Sequence, residues 1–214
     1  MVRALWLSCS LWFAGTAIAA DPNSPHPHQG VLRAYPQPPP AIALTPEDLA
    51  TLSSGGVVRK QTRGEEGGRG VAVQDVHATP EVIWAKILDF AAYPRMVENV
   101  YECQVYSTTP GHVKTRFLIG STGISVEYFI DHVVRTDQGW ATWTLDYTRE
   151  SDLDDSVGYW RVDALADRPG WSRVTYSVDV KLRGWVPGFV ESMLSRSGLT
   201  KATAWVKREA EAAG

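Results

Sequence analysis

Residues 76–94 read VHATPEVIWAKILDFAAYP. An alternating run gives way to Thr79-Pro80-Glu81, then to a single apolar stripe, then to Tyr93-Pro94. Thr79 has the hydroxyl of a helix cap, and Pro80 suits a first helical turn, where its missing N–H costs nothing. Glu81 lies at the positive end of the helix dipole. Trp84, Ile87, Leu88 and Ala91 recur at i, i+3, i+4 and i+7, which makes one apolar face. Pro94 disfavours helical geometry at Tyr93, so the expected helix covers 79–92. Asp89 meets the negative end of that helix and is expected to cap a short turn over 91–95.

Strand signals surround this helix. Upstream, 57–63 (VVRKQTR) and 69–76 (RGVAVQDV) flank the turn-rich GEEGG. Downstream, β runs are expected over 100–107, 112–119, 124–134, 139–147, 157–165 and 171–182, separated by Gly-, Pro- and Asp-rich turns. Short, even spacing of this kind argues for an antiparallel sheet of hairpins. Its faces differ. Val113, Phe117, Ile119, Val126, Tyr128, Ile130, Trp143, Trp160, Val174 and Tyr176 share one parity. Lys114, Arg116, Glu127, Asp131, Arg161, Asp163, Arg173 and Asp179 take the other, which is expected to be wet.

A long helix is expected over 186–211. Val186, Phe189, Val190, Met193 and Leu194 form one apolar stripe, and Leu199, Ala202, Trp205 and Val206 a second. Gly198 lies between them and costs about 1 kcal/mol relative to Ala; it marks a close packing contact or a kink. Near the start, Thr45-Pro46-Glu47 opens a short helix that Gly55-Gly56 ends.

Residues 1–20, MVRALWLSCSLWFAGTAIAA, have one early cation, an apolar core too short for a membrane span and an A-x-A end. They read as a secretory signal, so the mature protein is expected in a periplasmic or extracellular compartment. Residues 21–45 are proline-rich and read as a mobile, solvated linker. The folded domain is then 46–214. Loss of 1–20 removes Arg3 and no acid, which moves the formal net charge from −3 to −4. It also leaves Cys103 as the one cysteine, so packing rather than a disulfide must hold the fold. The balance of charge carries no nucleic-acid footprint.

Catalytic constellations are scarce. His77, His112 and His132 belong to no recognised motif. Asp131 and His132 are strand neighbours that point to opposite faces. His26 and His28 lack further ligands in sequence, so no metal site is assigned. The acid-rich 146–156 (DYTRESDLDDS) lacks the glycine and glutamate spacing of an EF-hand and reads as a solvated hairpin loop. Cys103 is expected in the core. Arg116 and Arg183 are either ligand-orienting cations or ordinary exposed ones. No catalytic residue and no cofactor is assigned.

The order of elements, with Ala78, Pro80, Val82, Trp84, Leu88, Asp89, Tyr93 and Pro94, then DDSVGYWRV (154–162), RGWVPGFVESML (183–194) and ATAWVKREAE (202–211), resembles the START-like, or SRPBCC, superfamily. Within it the chain is similar to the group named polyketide cyclase/dehydrase or coenzyme Q-binding START domain. The resemblance covers about 55–211. It implies an α+β helix-grip fold: a curved antiparallel sheet of about seven strands wrapped around a long C-terminal helix, with two short helices closing one end. It also implies an apolar cavity, with Tyr93-Pro94 at its rim. By parity, Tyr128, Trp143, Trp160 and Tyr176 are expected to face Phe189 and Met193 across that cavity.

Two functions follow from that resemblance. One is binding and transport of a hydrophobic small molecule such as a lipid, isoprenoid or polyketide-like compound, with transient membrane contact. The other is a cyclase or dehydratase acting on a polyketide-like substrate. A solid core with no ligand is a third reading. Burying about 300 Å² of apolar ligand surface is worth roughly 7–8 kcal/mol before association costs, so binding needs no charged contact.

Overall fold

The computed structural model describes residues 20–64, 67–121, 123–182 and 196–213. The strands are β1 (Val57–Gly64), β2 (Gly67–Val76), β3 (Val100–Thr109), β4 (His112–Ser121), β5 (Ile124–Arg135), β6 (Trp140–Leu145), β7 (Leu153–Ala164) and β8 (Ser172–Leu182). They form one open sheet of eight strands in the order β1-β2-β8-β7-β6-β5-β4-β3, with antiparallel neighbours throughout. The sheet thus has one strand more than the resemblance implies. β1 forms one edge of the sheet and pairs only with β2.

The helices are α1 (Pro46–Ser53), α2 (Pro80–Ile87), α3 (Tyr93–Met96) and α4 (Arg196–Glu211), with a 3-10 turn at Phe90–Ala92 between α2 and α3. α1 starts as its sequence dictates: Thr45 and Asp48 form a reciprocal capping box and Pro46 fills the first turn. α4 lies in the concave face of the sheet, with Leu199, Val206 and Ala210 fully buried. Gly70 of β2 permits that approach, because a Cβ there would come within 2.4 Å of the Leu199 side chain. The expected first stripe of this helix, including Phe189 and Met193, lies outside the described residues, as does Arg183.

The opening stretch departs from its sequence reading in four ways. α2 ends at Ile87, and the backbone re-forms as the 3-10 turn and then α3. Phe90 and Ala92 therefore go inside while Ala91 is exposed, and Ile83 joins Trp84 and Ile87 in the core. Tyr93 is helical, at φ −51° and ψ −41°. Pro94 does not end a helix here; it occupies the first turn of a new one, where proline fits. Thr79 and Asp89 hold the N-cap positions of α2 and of the 3-10 turn, but neither side chain makes a capping hydrogen bond.

The outer face of the sheet is only partly wet. Residues 20–45 run along it as a bound strap, not as a free linker. Val31 and Leu32 N–H both donate to Asp155 Oδ2 at 2.7 Å. Tyr35 packs edge-on against Tyr159 and shares a 2.9 Å hydrogen bond with Ser177, while Tyr159 donates to the Pro40 carbonyl. Ile42 and Leu44 close over a second small core of Leu52, Val58, Val71 and Val73. The 146–156 stretch is likewise no solvated loop: Asp146, Ser151, Asp155 and Ser156 are all buried. Asp155 accepts from the strap, Asp146 from Thr148 in the neighbouring turn, and Ser151 Oγ from Phe129 N–H of β5, which offsets the cost of burying them.

Candidate functional site

Between the concave sheet face, α3 and α4 lies a cavity of about 320 Å³. That volume is at the lower end of the range for small-molecule sites. Its wall is aromatic. Trp143 lies across Gly158, where a Cβ would meet the indole at 2.1 Å, and it stacks on Tyr176 with ring centroids 5.7 Å apart. Trp160 contacts Tyr176 at 4.6 Å and Trp205 of α4 at 6.2 Å, and Tyr128 stacks on Phe117 at 5.2 Å. Tyr93 completes the ring of aromatics through Trp205, and its hydroxyl donates to the Ile87 carbonyl at 2.8 Å. That bond satisfies one of the open carbonyls at the end of α2, which explains a tyrosine at this corner.

The rim is polar. Glu98 and Lys201 form a 2.6 Å ion pair between the α3–β3 connection and α4, and both side chains are well exposed. Asn99 sits beside them in left-handed geometry, at φ 66°, which asparagine tolerates better than most residues. Arg208 also lines the opening and donates to the Met96 carbonyl.

Inside, the polar groups are uncharged. Burial raises the Tyr128 and Tyr176 phenols well above their usual range, and Tyr93 likewise. Tyr128 and Tyr176 keep some open surface, and it faces the cavity. His132 is buried, and desolvation lowers its pKa from 6.5 to about 4, opposed by its bond to the Val113 carbonyl. The unfolded chain therefore binds the proton more readily than the folded one. Stability that is complete above pH 6.5 should decline as pH falls toward 4, by roughly 3 kcal/mol from this group. Urea unfolding of wild type and His132→Gln from pH 7 to 4 checks this: the variant should lose less stability over that window.

Tyr128, Trp143, Trp160 and Tyr176 all line this one cavity. Tyr93, which the resemblance put at the rim, lines it too, as do Phe117, His132, Ser156 and Trp205, which were not singled out as cavity residues from the sequence. Phe117 and Trp205 stood on apolar stripes already read as core, whereas His132 and Ser156 carried no motif. Asp131, as expected, faces the other side, where it meets His112 and Lys114. Arg116 is on that outer face as well, paired with Glu102 and Glu127, so it is not a ligand-orienting cation. Cys103 is buried, and burial pushes its thiol up to about 12.

The strap brings His26 and His28 to Asp154, with candidate ligand atoms of all three within 4.8 Å of one another. Their hydrogen bonds oppose a metal. His26 Nδ1 accepts from Ser151 N–H and His28 Nδ1 from Gly30 N–H. Both rings must then carry their proton on Nε2, which they direct to the carbonyl and carboxylate of Asp154. The trio fastens the strap.

The family model described as polyketide cyclase/dehydrase and lipid transport matches residues 76–204, more than half of the chain. Among solved structures, the chain is similar to a STAR-related lipid transfer protein from Xanthomonas axonopodis, with 12% identity and TM-score 0.58 over 72% of this chain and 93% of that one. It is also similar to the Zhui aromatase/cyclase from Streptomyces sp. R1128, with 12% identity and TM-score 0.55 over 72% and 94%. A START superfamily protein from Mycobacterium smegmatis gives 17% identity and TM-score 0.53 over 74% and 99%. At these identities the likeness is one of fold. No curated protein matches by sequence.

Proposed function

Because the chain belongs to the polyketide cyclase/dehydrase and lipid transport family, we propose that it binds and carries a hydrophobic small molecule, of lipid, isoprenoid or polyketide-like class, in the aromatic cavity. The observation that carries this reading is the lining itself. Among the described residues that form it, Glu98 is the one carboxylate, and it is spent on the rim ion pair with Lys201. No acid–base pair converges inside among the described residues. A cyclase or dehydratase reading draws support from His132 and the tyrosine hydroxyls. However, an imidazole with a pKa of about 4, tied to a neutral carbonyl, is a weak general base at neutral pH. Carriage is therefore the better fit.

No helix among the described residues is long and apolar enough to cross a membrane. The leader-like residues 1–20 support export, with delivery by transient contact with a membrane surface. N-terminal sequencing of the exported protein, expected to begin near residue 20 or 21, checks that part.

The binding test uses the cavity's own fluorophores. Trp143, Trp160 and Trp205 line it, so an occupant should quench tryptophan emission. A panel of fatty acids, isoprenoid quinones and polycyclic aromatics should contain quenching ligands that saturate. Ala202→Phe, which projects from α4 into the space, should weaken those ligands about tenfold or more, equivalent to ~1.4 kcal/mol, while the fold is retained. If nothing in the panel binds and the substitution instead destabilises by about 1–3 kcal/mol, the core is solid and the carrier reading fails.

A further inference from the structure

We propose that His132 sets the cavity's specificity by accepting a hydrogen bond at Nε2, so that the preferred occupant is a neutral molecule carrying a hydroxyl at its buried end. This rests on the carrier reading and names the chemistry that the carrier selects. His132 Nδ1 lies 3.1 Å from the Val113 carbonyl, which can only accept, so Nδ1 carries the proton. In a neutral ring Nε2 is then a lone-pair acceptor.

That lone pair has no partner among the described residues. His132 is 8% exposed and belongs to the cavity lining, whereas the indole N–H groups of Trp84 and Trp140 and the hydroxyls of Thr115 and Thr203 are buried with no partner among the described residues. His132 lines the cavity, between Phe90 at 5.0 Å and Trp143 at 6.3 Å. These rings leave the imidazole little freedom to turn away. An acceptor held in an apolar pocket rewards a ligand that donates to it and penalises one that presents only carbon or another acceptor.

Charge excludes the other polar classes. Among the described lining residues the cations are Lys201 and Arg208, both at the rim, so a carboxylate or phosphate pushed to the depth of His132 would meet no counter-charge. Tyr128 and Tyr176 line the same space, and their hydroxyls make no hydrogen bond among the described residues. A ligand hydroxyl that donates to His132 still has lone pairs to accept from such groups. A ketone or ether has no proton for Nε2.

The test compares 2-naphthol with 2-methoxynaphthalene, by quenching of tryptophan emission in the full chain. The readout is the ratio of the two dissociation constants, so that a general change in packing cancels. One hydrogen bond of ordinary net strength corresponds to about a tenfold preference. His132→Phe should shift the ratio by about that factor toward the ether, while ether binding persists. His132→Gln, whose amide oxygen can accept, should recover part of the preference for naphthol. His132→Leu gives the same measurement without added bulk should the phenylalanine variant fail to fold. A ratio unchanged in folded His132→Phe or His132→Leu overturns the assignment of His132 and leaves the carrier reading standing. If neither probe binds wild type while no member of the wider panel does either, the carrier reading fails and this proposal with it. Binding of both probes with coupled losses in every variant would assign His132 a packing role only, and also overturns the proposal.

Discussion

Asp155→Ala is expected to destabilise the protein by about 3 kcal/mol and to free the N-terminal strap. The carboxylate is fully buried. It accepts from Val31 N, Leu32 N, Ser156 N and the Tyr147 hydroxyl, all at 2.7–2.8 Å. Hydrogen bonds to a charged group contribute about 1.5–3 kcal/mol each, but they share one partner and are not additive. Removing the carboxylate also takes the acceptor from three backbone N–H groups, two of them in the strap. Urea unfolding should show a lowered midpoint, and limited proteolysis should cut within 21–45 in the variant before it cuts wild type. Stability within about 0.5 kcal/mol of wild type, with an uncut strap, would mean that the strap is not fastened here.

Trp84→Ala should cost about 3–5 kcal/mol, the usual loss for a large aromatic removed from a core. Trp84 is 4% exposed, and α2 carries it and Ile83 and Ile87 into the main cluster. Its indole N–H has no hydrogen-bond partner among the described residues, so the loss is one of packing and apolar burial. Trp84→Phe should accordingly recover a large share of the stability. A loss of only about 0.5 kcal/mol for the alanine variant would contradict the placement of α2 against the core.

Much of this fold is legible in the chain because hairpins write themselves locally. The expected runs 100–107, 112–119 and 124–134 became Val100–Thr109, His112–Ser121 and Ile124–Arg135, since alternation and turn residues are near-neighbour signals. What escaped was set by distant partners. The strap looked like a mobile linker because prolines and polar residues lack periodicity, yet Asp155, Ser177 and Tyr159 hold it from more than a hundred residues away. The strap in turn reaches into DYTRESDLDDS, at Asp155 and at the Ser151 N–H, so that part of this run is buried rather than wet. Pro94 misled for a local reason: proline restricts the residue before it in a continuing helix, but it also suits the first turn of a new one, and Tyr93 stands at that join.

The cavity was half legible. Strand parity finds Tyr128, Trp143, Trp160 and Tyr176, because every second residue faces the same way. It cannot separate an aromatic that fills the core from one that borders a space. Gly158 was the missed signal: a glycine two residues before Trp160, on the cavity parity of β7, is where the Trp143 ring lies flat. His132 shares that parity too, with Asp131 turned to the opposite face. Its role rests on the Val113 carbonyl across the strand pair, which no local motif encodes.

The most direct measurement is a crystal structure of the full chain with 2-naphthol bound. The account predicts the probe enclosed by Tyr128, Trp143, Trp160 and Tyr176, with α4 as the opposite wall and its hydroxyl directed to His132 Nε2. A space closed by these side chains in their own contacts, with the probe absent or held only on the outer surface, would contradict it.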